Sequence, residues 1–169
     1  MALWEIELDF PLFKNVAVQI QSELPGLIAA TLQTQRAMIF DSEGNYNGRP
    51  GWEPLKCRDG QPLKDRGTLS QSIGPANDGI TPGRATGSIV RLAMGMVTIG
   101  TNIAYAEVQD QGAIIVPVKA KALRFKCHGK FIFRKKVTIP PRPFGNFTSE
   151  DISELNETVT NYLTSKING

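Results

Sequence analysis

Two kinds of hydrophobic pattern occupy separate stretches of this chain and together predict a small α+β domain. Helical spacing dominates residues 11–40 and 149–168, whereas apolar and polar residues alternate in stretches between residues 88 and 139. At 169 residues with 41% hydrophobic content, the chain is long enough for one domain with a core and short for two. We therefore expect a single domain over residues 1–169, with N-terminal helices, an antiparallel sheet, a protruding basic β-hairpin and a C-terminal helix.

The N-terminal region predicts a short arm followed by two helices. Residues 3–9 alternate Trp4, Ile6 and Leu8 with acids, which is typical of a strand that pairs either with its own sheet or with a neighbouring subunit. From Pro11 onward the apolar residues fall four apart, which is typical of a helix. An internal proline loses a backbone hydrogen bond, so we expect a break and a second helix starting near Pro25.

A segment rich in Gly, Pro, Asn and Asp, residues 41–65, predicts a long surface loop. Loops of this length are uncommon in compact domains and are often functional. Trp52, Pro54 and Leu55 are its candidate anchor. Trp52 has two equally weighted interpretations, a partner contact or a buried side chain that attaches the loop to the core.

Three further elements follow this loop. Residues 65–73 predict a short helix capped by Asp65. Residues 88–94 and 96–101 predict a hairpin around Gly95. Residues 102–111 predict a short helix that Asn102 caps and Gly112 closes.

The segment from Gly112 to Gly145 concentrates positive charge. No acid lies between Asp110 and Glu150, while nine of the 19 Lys and Arg residues of the chain fall there. The modest net charge of +3 therefore conceals a basic segment on an acidic remainder, which points to a polyanion or an acidic partner surface. The nine cations are Lys119, Lys121, Arg124, Lys126, Lys130, Arg134, Lys135, Lys136 and Arg142.

Within this segment, residues 123–139 alternate apolar and cationic side chains, which predicts a strand pair. A three-residue loop from His128 to Lys130 places Phe125 opposite Phe133 and keeps one face apolar. The alternative interpretation of the cationic face is simple solvation. The candidate contact residues on that face are Arg124, Lys126, Lys130, Arg134 and Lys136.

The C-terminal part predicts a stiff corner followed by a helix. Residues 140–144, PPRPF, end the strand, and we expect Phe144 in the core rather than at a partner. Ser149 is followed by acids and by apolar residues at helical spacing, which predicts a helix with Lys166 near its negative end.

The cysteines and the hydropathy predict a cytosolic product. Cys57 and Cys127 lie far apart without metal-ligand spacing, so we expect two reduced thiols rather than a disulfide. No apolar run reaches the roughly 20 residues that span a bilayer, and the acidic N-terminus lacks the basic start of a signal peptide.

Enzymatic motifs are absent from the sequence. His128 lies at a predicted turn, where an exposed residue is more common than a general base. No nucleophile elbow, HExxH motif or phosphate loop is present, and the pairs Asp41/Glu43 and Glu150/Asp151 are interpreted as turn and helix-cap acids. We expect no catalytic residue, cofactor or metal.

Five motifs follow one another along the chain from Trp52 onward. They are WEPL from Trp52, DRGTLSQSI from Asp65, VTIGTNIAYAEVQDQGA from Val97, KAKALRF from Lys119 and FRKKVTIPPRPFG from Phe133. These motifs resemble the phage virion morphogenesis family, the tail-completion or neck proteins of Mu-like and related tailed phages. The chain departs from the family pattern at Arg66-Gly67-Thr68, where the family has threonine before the glycine and a basic residue after it.

This resemblance implies a structural virion protein at the head–tail junction, either a neck piece or a tail terminator, that forms a ring of six or twelve copies. It implies contacts with portal, adaptor or head-closure proteins and with tail tube proteins, contact with genomic DNA in the lumen, and assembly in the host cytoplasm without a membrane. The alternative is a nucleic-acid-binding accessory protein that uses the basic hairpin. The residues that carry the family motifs are Gly67, Leu69, Ser72, Asn102, Tyr105, Pro143 and Phe144.

Overall fold

Ten helices and strands make up the described part of the chain, which in this computed structural model covers residues 11–74, 88–93 and 96–168. The architecture is α+β, as the sequence predicts, and the predicted arm at residues 3–9 lies outside the described residues. The helices are α1 (Pro11–Asp41), α2 (Thr68–Ile73), α3 (Ala106–Gln111) and α4 (Ser149–Asn168). The strands are β1 (Ser88–Ala93), β2 (Met96–Thr101), β3 (Ala113–Ile115), β4 (Leu123–Cys127), β5 (Lys130–Arg134) and β6 (Val137–Ile139).

The first helix, α1, continues through Pro25, so the predicted break there is wrong. It packs on α4 on both sides of the proline. Before it, Glu23 pairs with Lys166 at 2.9 Å, and after it the Gln35 side chain donates to the backbone carbonyl of Asp151 at 2.9 Å. These contacts stabilise the helix on both sides of Pro25 and offset the roughly 3 kcal/mol that an internal proline costs.

The six strands form three separate antiparallel pairs, β1–β2, β3–β6 and β4–β5. The predicted hairpin β1–β2 is confirmed. The second strand of the basic hairpin ends at Arg134, and Val137–Ile139 pair instead with β3, which the sequence did not predict. Gly112 permits this pairing because a Cβ there would lie 2.8 Å from the Ile139 carbonyl oxygen.

Two short helices begin later than expected. α2 starts after Gly67, which has φ +76° and no side-chain cap, so Asp65 is not the cap. α3 begins one turn after Asn102, because the Ile103 N–H donates to the Thr101 hydroxyl at 3.1 Å and holds this turn outside the helix. Gly112 ends α3, as predicted.

The core lies where the end of α1 meets the loop after it, α2, the start of α3 and the corner before α4. Phe144 is buried there, as predicted, and Asp110 accepts hydrogen bonds from the backbone N–H groups of Phe144 and Gly145, both at 2.8 Å. The buried residues of the core are Ile39, Phe40, Trp52, Leu69, Ile73, Ala106 and Phe144.

Within the described ranges, no helix is both long and apolar enough to cross a bilayer. The same ranges contain no cluster of three or more His, Cys, Asp or Glu side chains that could hold a metal ion.

Candidate interaction surface on the basic hairpin

The β4–β5 hairpin turns through two residues, His128 and Gly129, so the predicted three-residue loop is wrong. Phe125 lies opposite Ile132 rather than Phe133. His128 has φ +47° and Gly129 has φ +78°, and positive φ at both central residues gives the turn whose twist matches antiparallel strands. The turn geometry therefore sets the register and overrides the apolar alternation.

This register places two cations and two aromatic rings on one face of the hairpin. Arg124 lies opposite Phe133, and Lys126 lies opposite Phe131. Phe131 and Phe133 are 51% and 60% exposed. The Arg124 guanidinium carbon is 3.9 Å from the Phe131 ring centroid, and the Lys126 ammonium is 5.3 Å from it. We name these four residues the cation–aromatic face.

The other predicted contact residues do not share this face. Lys130 lies opposite Cys127, and Arg134 lies opposite Leu123, on the face that carries the half-buried apolar side chains. Lys136 is exposed in the link between β5 and β6. The five candidate cations therefore do not form a single surface patch.

A disulfide attaches the hairpin tip to the long loop, so the expectation of two reduced thiols is wrong. Cys57 and Cys127 are 70 residues apart in sequence, yet their Cα atoms are 4.2 Å apart. The His128 N–H donates to the Cys57 carbonyl at 2.9 Å, and the His128 ring Nε2 lies 3.1 Å from the Lys56 carbonyl oxygen. Sequence spacing does not reveal this pair because the loop folds back onto the hairpin.

Trp52, a candidate interface residue, lies in the core and is 7% exposed. Its indole Nε1 donates to the Pro143 carbonyl at 3.3 Å, and its ring meets Phe40 edge-on with centroids 5.5 Å apart. Gly44 lies directly against this ring. The interpretation in which Trp52 attaches the loop to the core is confirmed.

The remaining family-motif residues divide between core and surface. Leu69 and Ser72 are buried, and the Ser72 hydroxyl donates to the Leu69 carbonyl at 2.8 Å and lies 2.8 Å from the Thr101 hydroxyl. Asn102 and Tyr105 are exposed in the turn before α3. Of these four residues, Ser72 joins α2 to the end of β2.

A buried ionic cluster surrounds Asp151, and the sequence did not predict it. This carboxylate is fully buried and forms ion pairs with Arg36, at 3.2 Å, and with Arg49. The Asn47 amide donates to it at 2.9 Å. It also caps α4, because it accepts from the Thr148 N–H while the Thr148 hydroxyl accepts from the Asp151 N–H, both at 3.2 Å.

The cap role of Asp151 was predicted, but its partners were not. Burial raises the pKa of Asp151, yet the hydrogen bonds from Arg49 and Asn47 outweigh burial and lower this pKa to about 2. Arg36 also donates to the backbone carbonyl of Phe144 at 2.7 Å. The cluster therefore joins α1, the long loop and the corner before α4, and lies outside the candidate surface on the hairpin.

The chain is similar to a protein of Haemophilus influenzae, "Mu-like prophage FluMu G protein 2", with 29% identity over 139 residues. The match covers 80% of this chain and 73% of the relative. The present chain is therefore a phage-related protein. No family model matches the phage-related chain, and no solved structure is significantly similar to it.

Proposed function

We propose that this phage-related protein is a structural component of a tailed phage virion that acts at the head–tail junction as a ring-forming neck, tail-completion or tail-terminator protein. The observation that carries the proposal is the similarity to a Mu-like prophage protein over 80% of the chain. The function is non-enzymatic and needs no cofactor, because shape and charge complementarity are sufficient to join two assemblies.

Exposed apolar side chains support a role in assembly. Ile114, Ile115, Val116 and Val118 are exposed in and after β3, and Val118 is 93% exposed. Four exposed apolar side chains within five residues are unusual, and exposed apolar surface commonly marks protein–protein interfaces. In a ring, these side chains would be covered by a neighbouring subunit or by a portal, adaptor or tail protein.

The cation–aromatic face supplies the charged part of the contact. Arg124 and Lys126 carry positive charge beside exposed rings, which suits an acidic protein surface with apolar elements. In the proposed neck, this face meets an acidic adaptor or tail-tube surface, or lines the lumen through which genomic DNA passes.

The hairpin register provides a matched test of this contact. Arg124→Glu with Lys126→Glu reverses the cation–aromatic face, while Lys130→Glu with Arg134→Glu makes the same charge change on the opposite face. Like charges at an interface cost several kcal/mol, so we expect the first pair to lower joining of heads to tails at least about a hundredfold in a complementation assay. The control pair should join heads to tails nearly normally.

Electron microscopy of the resulting lysates reads out this test directly. Free heads and free tails should accumulate with the first pair of substitutions. Normal particles from a lysate that lacks the protein altogether would refute the proposed function. Mass photometry of the purified protein should also give six copies for a tail-type ring or twelve for a portal-type ring.

The same face favours a second candidate function, a nucleic-acid-binding accessory protein. Bases can stack on exposed Phe131 and Phe133 while Arg124 and Lys126 contact phosphates. This candidate requires tight binding whose affinity falls steeply with salt, and Lys126→Gln should reduce the slope by about one. Weak DNA binding that Lys126→Gln leaves unchanged would reject it.

A further inference from the structure

A groove of about 750 Å³ lies between the long loop, α3, β4 and β6. Its apolar lining includes Leu55, Leu63, Phe125 and Ile139. A volume of this size falls within the range of ligand and peptide sites. The β4–β5 hairpin turns its half-buried apolar face towards this groove, since Phe125 lies on that face.

Arg142 lines the groove with a buried guanidinium that has no carboxylate in hydrogen-bond contact within the described residues. It is 6% exposed, its Nε has no hydrogen-bond partner, and its Nη2 donates to the Glu53 carbonyl at 3.0 Å. The Glu53 carboxylate binds Lys56 instead, at 3.4 Å. Burial lowers the pKa of Arg142 while the charge of Glu53 partly opposes this shift, and a buried charge that no carboxylate contacts directly is costly.

The groove therefore favours an occupant that is both acidic and apolar. Three further cations, Lys56, Arg58 and Arg66, line it against one acid, Asp65. A carboxylate brought to Arg142 could hydrogen-bond its unpartnered Nε and add to the attraction that the more distant Glu53 exerts, while apolar side chains of the same segment would cover the lining.

One wall of the groove also offers an edge of β6 that no strand of the described residues covers. Residues 137–140, which include β6, all line it, and β3 is the neighbour of β6 in the sheet. Side chains of successive strand residues point to opposite faces, so four consecutive lining residues place the groove along the strand edge. An extended segment can add there through backbone hydrogen bonds.

Residues 3–10 of this chain, LWEIELDF, have the required chemistry. Their apolar residues alternate with Glu5, Glu7 and Asp9, and no cation lies among them. We propose that the groove receives residues 3–10 of a second copy of the chain as an added strand. This inference deepens the proposed ring and rests on it.

Covalent reach favours a second copy as the donor. Residues 3–10 precede Pro11, which begins α1. The groove lies near the other end of α1, because Gly67 lines both the groove and a neighbouring pocket that Asp41 also lines. A straight helix of 31 residues spans roughly 45 Å, and eight extended residues reach at most about 28 Å. In the proposed ring, each copy gives an arm to one neighbour and takes one from another, which is the head-to-tail arrangement of closed rings.

Mixing two defective variants tests the exchange. Glu5→Lys with Glu7→Lys damages the arm and leaves the groove intact, while Arg142→Gln damages the groove and leaves the arm intact. We expect mass photometry to show that each variant alone loses oligomers, with at least tenfold weaker assembly. An equimolar mixture should form heterodimers, because one sound arm meets one sound groove and the contact cannot propagate.

Glu107→Lys with Glu157→Lys is the matched control, because it makes the same charge change at exposed acids outside the groove. This control should assemble normally. If Arg142→Gln loses its thermal transition, Leu55→Glu replaces it as the groove variant. Normal assembly of the arm variant, or a mixture without heterodimers, would overturn the proposal.

A photo-crosslink locates the arm in the full-length protein. With benzoylphenylalanine at position 6 in a mixture of ¹⁴N and ¹⁵N chains, crosslinks should join two chains and map to residues 54–58 or 137–140. Crosslinks within one chain or to residues 114–118 would contradict the exchange. Rings that form without arm crosslinks overturn this inference alone, whereas arm exchange in a protein that is dispensable for head–tail joining overturns the proposed function alone.

Discussion

Asp151→Asn is the substitution whose effect on stability follows most directly from the structure. The change keeps the shape of the side chain and removes its charge. Arg36 and Arg49 then face a buried amide in place of the carboxylate that binds both of them. Two buried guanidinium groups lose their counterion, and the cap of α4 weakens.

The loss of folding free energy caused by Asp151→Asn can be obtained in two ways. The pKa of Asp151 falls from its ordinary 3.8 to about 2, and this shift corresponds to about 2.5 kcal/mol of folding free energy at neutral pH. Removing one partner of a buried ion pair typically costs about 3–5 kcal/mol, because the remaining charge stays desolvated. We expect a loss of about 4 kcal/mol, equivalent to a fall of about 8–16 °C in Tm for a chain of this length.

Urea denaturation at pH 7 measures this loss, since urea is uncharged and leaves ion pairs unscreened. Glu157→Gln is the matched control, because it removes the same charge from an exposed position on α4 and should change the free energy of unfolding by less than about 0.5 kcal/mol. A loss below about 1 kcal/mol for Asp151→Asn would show that the cluster does not hold the fold together.

The same residue predicts a pH dependence with a definite sign. Because the pKa of Asp151 is depressed in the folded state, its contribution is present in full at neutral pH. It is lost as the pH falls from about 5 through 2. Asp151→Asn should reduce the slope of the free energy of unfolding against pH in this window by the equivalent of about one bound proton. An unchanged slope would contradict the assignment.

Two other predictions concern the loop and the hairpin. Gly44→Ala should lower the free energy of unfolding by at least about 2 kcal/mol, because Gly44 has φ +88° and a Cβ would lie 2.5 Å from the Trp52 ring. Gly100→Ala is the control in urea denaturation, since a Cβ at Gly100 would meet no atom within 4 Å. The double substitution Cys57→Ser with Cys127→Ser should cost about 4 kcal/mol for a loop of 70 residues. Mass spectrometry of unfolded, unreduced protein after alkylation should find both cysteines unmodified, and alkylation of both would refute the disulfide.

Local patterns in the sequence were sufficient to predict most of the secondary structure. The hairpin β1–β2, the basic strands β4 and β5 and the helix α4 follow from period-2 and period-3.6 spacing, which depends on neighbours within a few residues. The burial of Phe144 follows from the stiff proline corner that precedes it. The similarity to a phage protein also agrees with the five motifs quoted from the sequence.

Long-range packing decided the features that local patterns could not. Contacts with α4 on both sides of Pro25 keep α1 continuous, and they join residues more than 100 positions apart. The partners of Asp151 come from α1 and from the long loop, so its sequence neighbours reveal the cap and not the burial. Cys57 and Cys127 meet for the same reason.

The candidate surface was predicted partly from the sequence and decided partly by the tertiary structure. The sequence by itself determined that positive charge gathers in residues 119–142 and that β4 and β5 form a hairpin there. Only the structure decided which side chains share a face, because one residue more or fewer in the turn exchanges the faces of a strand. His128 adopts a positive φ and shortens the turn to two residues, which brings Phe131 and Phe133 out beside Arg124 and Lys126.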